Sequence, residues 1–209
     1  MKFISLLSSG IDSPVATHLL SKKIEEIILV HADGRPFTDD REFTNFVSIA
    51  KHLKKQIPCN VKTYVIHHGP ALSAYRQSGN KRFTCLFCKR MMLRYAEKLA
   101  YKEHAEAVIV GDSLGQVASQ TLQNMGVIEQ AIDLPVLRPL IGLDKEDIIR
   151  IAKEIGTYDL SILPSLSCTA VPRKPATKAK LEDVLSEEKK IDVGEIAKQA
   201  VFNAELISL

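Results

Sequence analysis

Six consecutive residues, Ser8-Ser9-Gly10-Ile11-Asp12-Ser13, place hydroxyls and a carboxylate around a glycine. The apolar run Phe3-Ile4-Ser5-Leu6-Leu7 precedes them, and Pro14-Val15-Ala16-Thr17-His18 reads as the opening of a helix. A turn in that setting aims backbone N–H groups and a helix dipole at one point, which suits an anion such as phosphate. The stretch lacks the Gly-Lys-Ser/Thr ending of the common nucleotide P-loop. Read alone, it is equally a plain strand-to-helix turn with Asp12 or Ser13 as cap. Cys85-Leu86-Phe87-Cys88 forms a second chemical group, a Cys-x-x-Cys pair expected in a loop ahead of a basic helix. Its thiols can reach one metal or each other. Cys168 is a third thiol, and Cys59 reads as a quiet core thiol. Gly111-Asp112-Ser113-Leu114-Gly115-Gln116-Val117-Ala118-Ser119-Gln120 reads as a glycine-ended strand followed by a cap and helix.

The elements that must position these groups alternate strand and helix. Apolar-rich runs at residues 3–7, 27–31 and 107–110, together with 61–66 and a short 136–140, are expected strands. Helices are expected at 14–23, 39–55, 89–102, 113–124 and 144–154. Strands without polar alternation imply a parallel sheet covered on both faces, a doubly wound α/β fold. Such sheets bind ligands beyond the carboxyl ends of their strands, so the loops at 8–13, 31–38 and 111–116 should gather on one edge. A division follows at residue 171. Residues 1–171 read as the α/β domain, and residues 172–209 as a basic loop with a helical extension at 177–188 and 193–206. The last helix is amphipathic, which suits a homodimer interface.

The chain has 209 residues, 45% hydrophobic and 25% charged, with a net charge of +3. This composition fits one globular domain with a tail and gives only a mild basic bias. Four cysteines are too few for a disulfide framework at this length, which points to a cytoplasmic protein with a metal or redox site. No apolar run approaches the length of a membrane span, and the first is too short for a secretion signal.

The glycine-bearing turn resembles the pyrophosphate loop (PP-loop) of adenylating ATP pyrophosphatases, Ser-Gly-Gly-x-Asp-Ser, with Ser9 in place of the first glycine. With the 111–120 stretch, Lys89-Arg90-Met91-Met92-Leu93-Arg94 and Arg138-Pro139-Leu140-Ile141-Gly142-Leu143-Asp144-Lys145, the chain resembles the PP-loop domain of ThiI-type tRNA 4-thiouridine synthetases. Asp112 stands where that motif has glutamate. The resemblance implies an adenine nucleotide alpha hydrolase-like fold and an ATP-dependent sulfurtransferase that adenylates a tRNA uridine and replaces its oxygen with sulfur. It implies ATP contacts from Leu6, Leu7, Ser8, Ser9, Gly10, Asp12, Ser13, His31, Ala32, Arg90, Gly111 and Gln120. Mg2+ would stand beside the polyphosphate with Asp12. Cys168 would be the sulfur-handling residue, and Cys85, Cys88 and Cys168 would hold an iron–sulfur cluster. Zinc with Cys59 or a histidine of His67-His68 is the alternative, and a redox pair with a persulfide on Cys168 is a third. The relatives' THUMP and rhodanese modules have no counterpart here, so a separate protein is expected to help present tRNA, with sulfide or a persulfide carrier as donor. Basic residues around the cysteines (Arg76, Lys81, Arg82, Lys89, Arg90 and Arg94) and after Cys168 (Arg173, Lys174, Lys178 and Lys180) suit RNA phosphates or form a solvated face. Two other functions stay open: an amide-forming PP-loop ligase with zinc, and a non-catalytic ATP-binding subunit.

Overall fold

The computed structural model describes residues 1–209. The chain runs β1 (Lys2–Leu6), α1 (Asp12–Ser21), β2 (Glu26–Asp33), α2 (Asp40–Gln56), β3 (Asn60–His67), α3 (Gly69–Ser78) and α4 (Thr84–Glu103). It continues through β4 (Ala107–Ile109), α5 (Leu122–Glu129), β5 (Val136–Leu137), α6 (Lys145–Glu154) and α7 (Tyr158–Ser161). It closes with α8 (Leu181–Glu188), α9 (Val193–Phe202) and β6 (Glu205–Leu206). The sheet order is β5-β4-β1-β2-β3-β6, parallel except for the antiparallel pairing of β6 with β3. The doubly wound α/β expectation holds.

Alternation along each strand divides the core. Ile27 and Leu29 face a cluster closed by Phe46, Ile49, Ile148 and Ala152 of α2 and α6. Ile28 and Val30 face the other cluster, where Phe87, Met91, Tyr95 and Leu99 of α4 pack. Successive strands step from β1 to β2 to β3 on one side, then from β4 to β5 on the other. The direction reverses between β1 and β4, and ligands bind at such a switch point. The loops after both strands open there.

Several expected boundaries move. The helix expected at 113–124 is instead a loop with one 3-10 turn (Ala118–Gln120), and α5 starts at Leu122. Gly115 takes φ +78°, and its N–H donates to the Gln120 carbonyl, closing the loop on itself. The strand expected at 136–140 forms only at Val136–Leu137. Helix α3, unexpected from sequence, starts at Gly69 with Pro70 in its first turn. Helix α4 starts earlier than expected. Asn80 caps a 3-10 turn (Lys81–Phe83) that feeds directly into it, and Leu86 and Phe87 bury. The Cys-x-x-Cys pair therefore occupies the first turn of a helix rather than a loop.

The chain after residue 171 shares the larger core through Ala176, Ala179, Val184, Ala197 and Val201. Residues 177–180 stay outside the helix, which starts at Leu181, because the backbone here is bound elsewhere. The Asn124 amide donates to the carbonyls of Ala118 and Ala176 and accepts from Ala179 N–H. The apolar face of α9 packs against α4 within the chain. No helix is long and apolar enough to cross a membrane.

Candidate nucleotide and sulfur site

A cavity of about 490 Å³ opens at the switch point. The phosphate loop forms its upper wall. Ser13 Oγ accepts from Ser8 N–H at 2.9 Å, and Ser8 Oγ accepts from Gly10 N–H at 3.3 Å. No side chain caps α1, so its first-turn N–H groups remain free for an anion. Asp12 at that N-terminus pairs with Lys145 Nζ at 2.5 Å, which docks α6 against the loop. Ser9 has no left-handed backbone, because His104 is the one non-glycine residue at positive φ. Serine therefore stands at this position without left-handed backbone strain.

The second wall comes from the end of β2, where His31 and Ala32 line the cavity with Leu6 and Leu7. His31 Nδ1 lies 3.2 Å from the Leu7 carbonyl, and its ring stacks on Phe46 with centroids 4.0 Å apart. Its Nε2 faces Glu42 Oε2 at 3.3 Å without hydrogen-bond alignment. Burial alone would raise the Glu42 carboxyl. His31 and Ser9 outweigh it and hold the group below the usual carboxylate range.

The floor carries Gly111, Asp112 and Gln120. A Cβ on Gly111 would stand 2.7 Å from Ser13 N, so only glycine lets this loop abut the phosphate loop. Lys89 Nζ donates to Asp112 Oδ1 at 2.5 Å, Gln120 Nε2 to the same oxygen at 3.3 Å, and Arg138 Nε lies 3.7 Å from Oδ2. Desolvation works against the buried Asp112 carboxylate, yet these partners keep it below its ordinary value.

Sulfur lines the same cavity. Cys88 and Cys168 line the cavity, whereas Cys85 does not. Cys88 is half-buried but enclosed by protein; desolvation, then the nearby Cys168 and Cys85, push its thiol up to about 12. Burial and Cys168 also raise Cys85. The three thiols therefore share one locale, though no three His, Cys, Asp or Glu side chains stand in a metal-ligating arrangement. His68 is fully buried, with Nε2 3.2 Å from Cys88 Sγ and Nδ1 3.1 Å from Tyr95 Oη. Burial lowers its pKa to about 4, so the ring is neutral at neutral pH. Cys59 precedes β3 at the opposite end of the sheet. At about 3.3 Å per residue the strand sets it more than 20 Å from the site, which removes it from any zinc set.

Two assignments by sequence change. Arg90 leaves the nucleotide wall: it is 1% exposed, ion-paired to Glu188 at 2.8 Å and bonded to the Val127 carbonyl. Lys89 takes the place in the cavity. Glu42 was missed altogether. Its sequence signal, Asp39-x-x-Glu42, is a capping box, and Asp39 does accept from Glu42 N–H at 3.1 Å. The glutamate side chain, however, turns to Ser9 rather than back to the cap.

A mostly parallel sheet with an uncapped helix N-terminus and a glycine-floored cavity over its switch point has the architecture of a PP-loop α/β domain. The model of the family described as thiamine biosynthesis protein (ThiI) matches residues 1–193, and the chain belongs to that family. Among relatives, a Finegoldia magna protein named "Probable tRNA sulfurtransferase" is 40% identical over 206 residues, 98% of this chain and 52% of its own length. A Methanobrevibacter smithii protein of the same name is 44% identical over 186 residues, 88% of this chain and 48% of its own length. The chain thus spans about half the length of these relatives. A 4-thiouridine synthetase solved with RNA and bound ATP superposes with a TM-score of 0.93 at 33% identity, covering 99% of this chain and 55% of that one. An NMN synthetase from Francisella tularensis, at 16% identity and a TM-score of 0.57, shares the fold alone.

Proposed function

We propose that this chain is the catalytic PP-loop unit of an ATP-dependent tRNA sulfurtransferase forming 4-thiouridine. The observation that carries this reading is one cavity lined both by an anion-ready helix N-terminus and by two cysteines. ATP would lie with its phosphates on the α1 N–H groups and its base against Leu6, Leu7, His31 and Ala32. The uridine O4 attacks the α-phosphorus, a new P–O bond forms, and the bond to the β-phosphate breaks. Free α1 N–H groups and Lys89 stabilise the charge that develops on departing pyrophosphate. Sulfide then attacks C4; the C–S bond forms, the C–O bond breaks, AMP leaves and the sulfide proton passes to solvent, whereas a persulfide donor also needs a second thiol to cleave its S–S bond and leave as a disulfide.

Asp12 is the carboxylate available to a Mg2+ ion near the polyphosphate, once Lys145 releases it. Cys85, Cys88 and Cys168 would hold an iron–sulfur cluster: the donors are all thiol and share one locale, which fits its chemistry, while the ligating arrangement is not formed here. Such a cluster with three protein ligands leaves one iron open to exogenous sulfide. tRNA is the proposed substrate, sulfide or a persulfide the donor, and an RNA-binding module or protein the presenting partner. Deletion of the gene followed by nucleoside analysis of tRNA tests the reading. Loss of 4-thiouridine, restored by the wild-type gene and not by C168A, is expected; unchanged 4-thiouridine overturns it.

A further inference from the structure

We propose that Ser9 is a positioning residue for the triphosphate, tethering the phosphate loop to α2 and β2 through Glu42 and His31. The proposal rests on the nucleotide reading of the cavity and deepens it. Ser9 Oγ donates to Glu42 Oε1 at 2.9 Å. The other oxygen of Glu42 faces His31 Nε2 at 3.3 Å, and His31 Nδ1 reaches the Leu7 carbonyl at 3.2 Å. The contacts run from Ser9 to Glu42 to His31 to Leu7, and the chain from Leu7 back to Ser9 closes the circuit. Phe46, stacked on His31, fixes the ring in plane. Every polar member lines the cavity.

Glycine at position 9 would break this circuit. The loop would gain backbone freedom that nucleotide binding must then remove. One oxygen of Glu42 would also lose its donor while remaining at the rim of a site for anions. The serine hydroxyl answers both problems at once: it holds the loop against α2, and it occupies the carboxylate oxygen nearest the loop. The tether acts on the segment that meets phosphates. Its contribution therefore appears in ligands that carry phosphates and not in the nucleoside.

Calorimetric titration of the wild-type chain, S9G, S9A, E42A and S9A/E42A with a non-hydrolysable ATP analogue and with adenosine tests the tether. S9G and S9A should lose roughly five- to tenfold in affinity for the ATP analogue, the scale of one ordinary net hydrogen bond. Their adenosine affinity should stay unchanged, while their thermal midpoints fall by only a few degrees, the stability cost of one lost hydrogen bond. The double variant should be no weaker than the weaker single variant, because both break one circuit. Wild-type affinity for the analogue in S9A overturns the proposal, as does an equal loss for adenosine. A wild-type chain that binds neither ligand overturns the nucleotide reading itself, and the tether with it.

Discussion

Lys89 and Arg90 are adjacent on α4 yet serve different ends. One residue along a helix is a turn of about 100°, enough to send Lys89 to Asp112 in the cavity and Arg90 to Glu188 in the core. K89M should weaken binding of an ATP analogue by tenfold or more, since it removes a cation and strands a buried carboxylate. R90M should leave that affinity near wild type in calorimetry while lowering stability in urea unfolding. The cost should sit near the low end of the roughly 3–5 kcal/mol for a broken buried pair, because Arg94 still holds Glu188. The motif Lys89-Arg90-Met91-Met92 was legible in the sequence, but its rotational register was not. That register depends on a partner 98 positions away in the chain. The phosphate loop was legible for the opposite reason, since its strand, turn and helix are contiguous. Glu42 was hidden because its capping position gave it a sufficient local explanation.

Gly111 shows how one strand end shapes another element's start. G111A should push Ser13 and the first turn of α1 out of place, because the added Cβ would meet backbone atoms at 2.7–2.9 Å. Loss of measurable binding of the ATP analogue is expected. G126A supplies the control: it lies inside α5 with nothing near its Cβ, and alanine there should raise stability by about 1 kcal/mol with binding unchanged. The long buried strands β1, β2 and β3 could be read directly from their apolar runs. The expected helix across 113–124 could not survive Gly115, whose left-handed backbone ends any helical path. Helix α3 escaped notice because His67-His68-Gly69-Pro70 reads as a loop. The same Gly69 lets the chain pass within contact of the Arg35 carbonyl. The early start of α4 escaped as well, and with it the placing of both cysteines on a rigid element.

Across the whole molecule, Glu188 joins the C-terminal segment to the helix that bears the site. It accepts from both Arg90 and Arg94. Burial alone would raise its carboxyl, but the two arginines hold it below the usual range. A depressed carboxylate adds stability above its unfolded pKa and loses it as pH falls through the folded value. Stability measured by urea unfolding should therefore decline from neutral pH toward about pH 3, and E188Q should flatten that limb. Glu42 and Asp112 are shifted in the same direction, so some decline should remain. The two outer strands of the sheet have a different consequence. β5 and β6 are each two residues long. Between them they cover the margins of β4 and β3, and the uncovered start of β3 carries the charged Lys62, ion-paired to Glu103. An exposed, uncharged eight-residue margin on β3 would be a template for strands of neighbouring chains. Two short strands that add little to the core thus guard the protein against edge-to-edge self-association in a crowded solution.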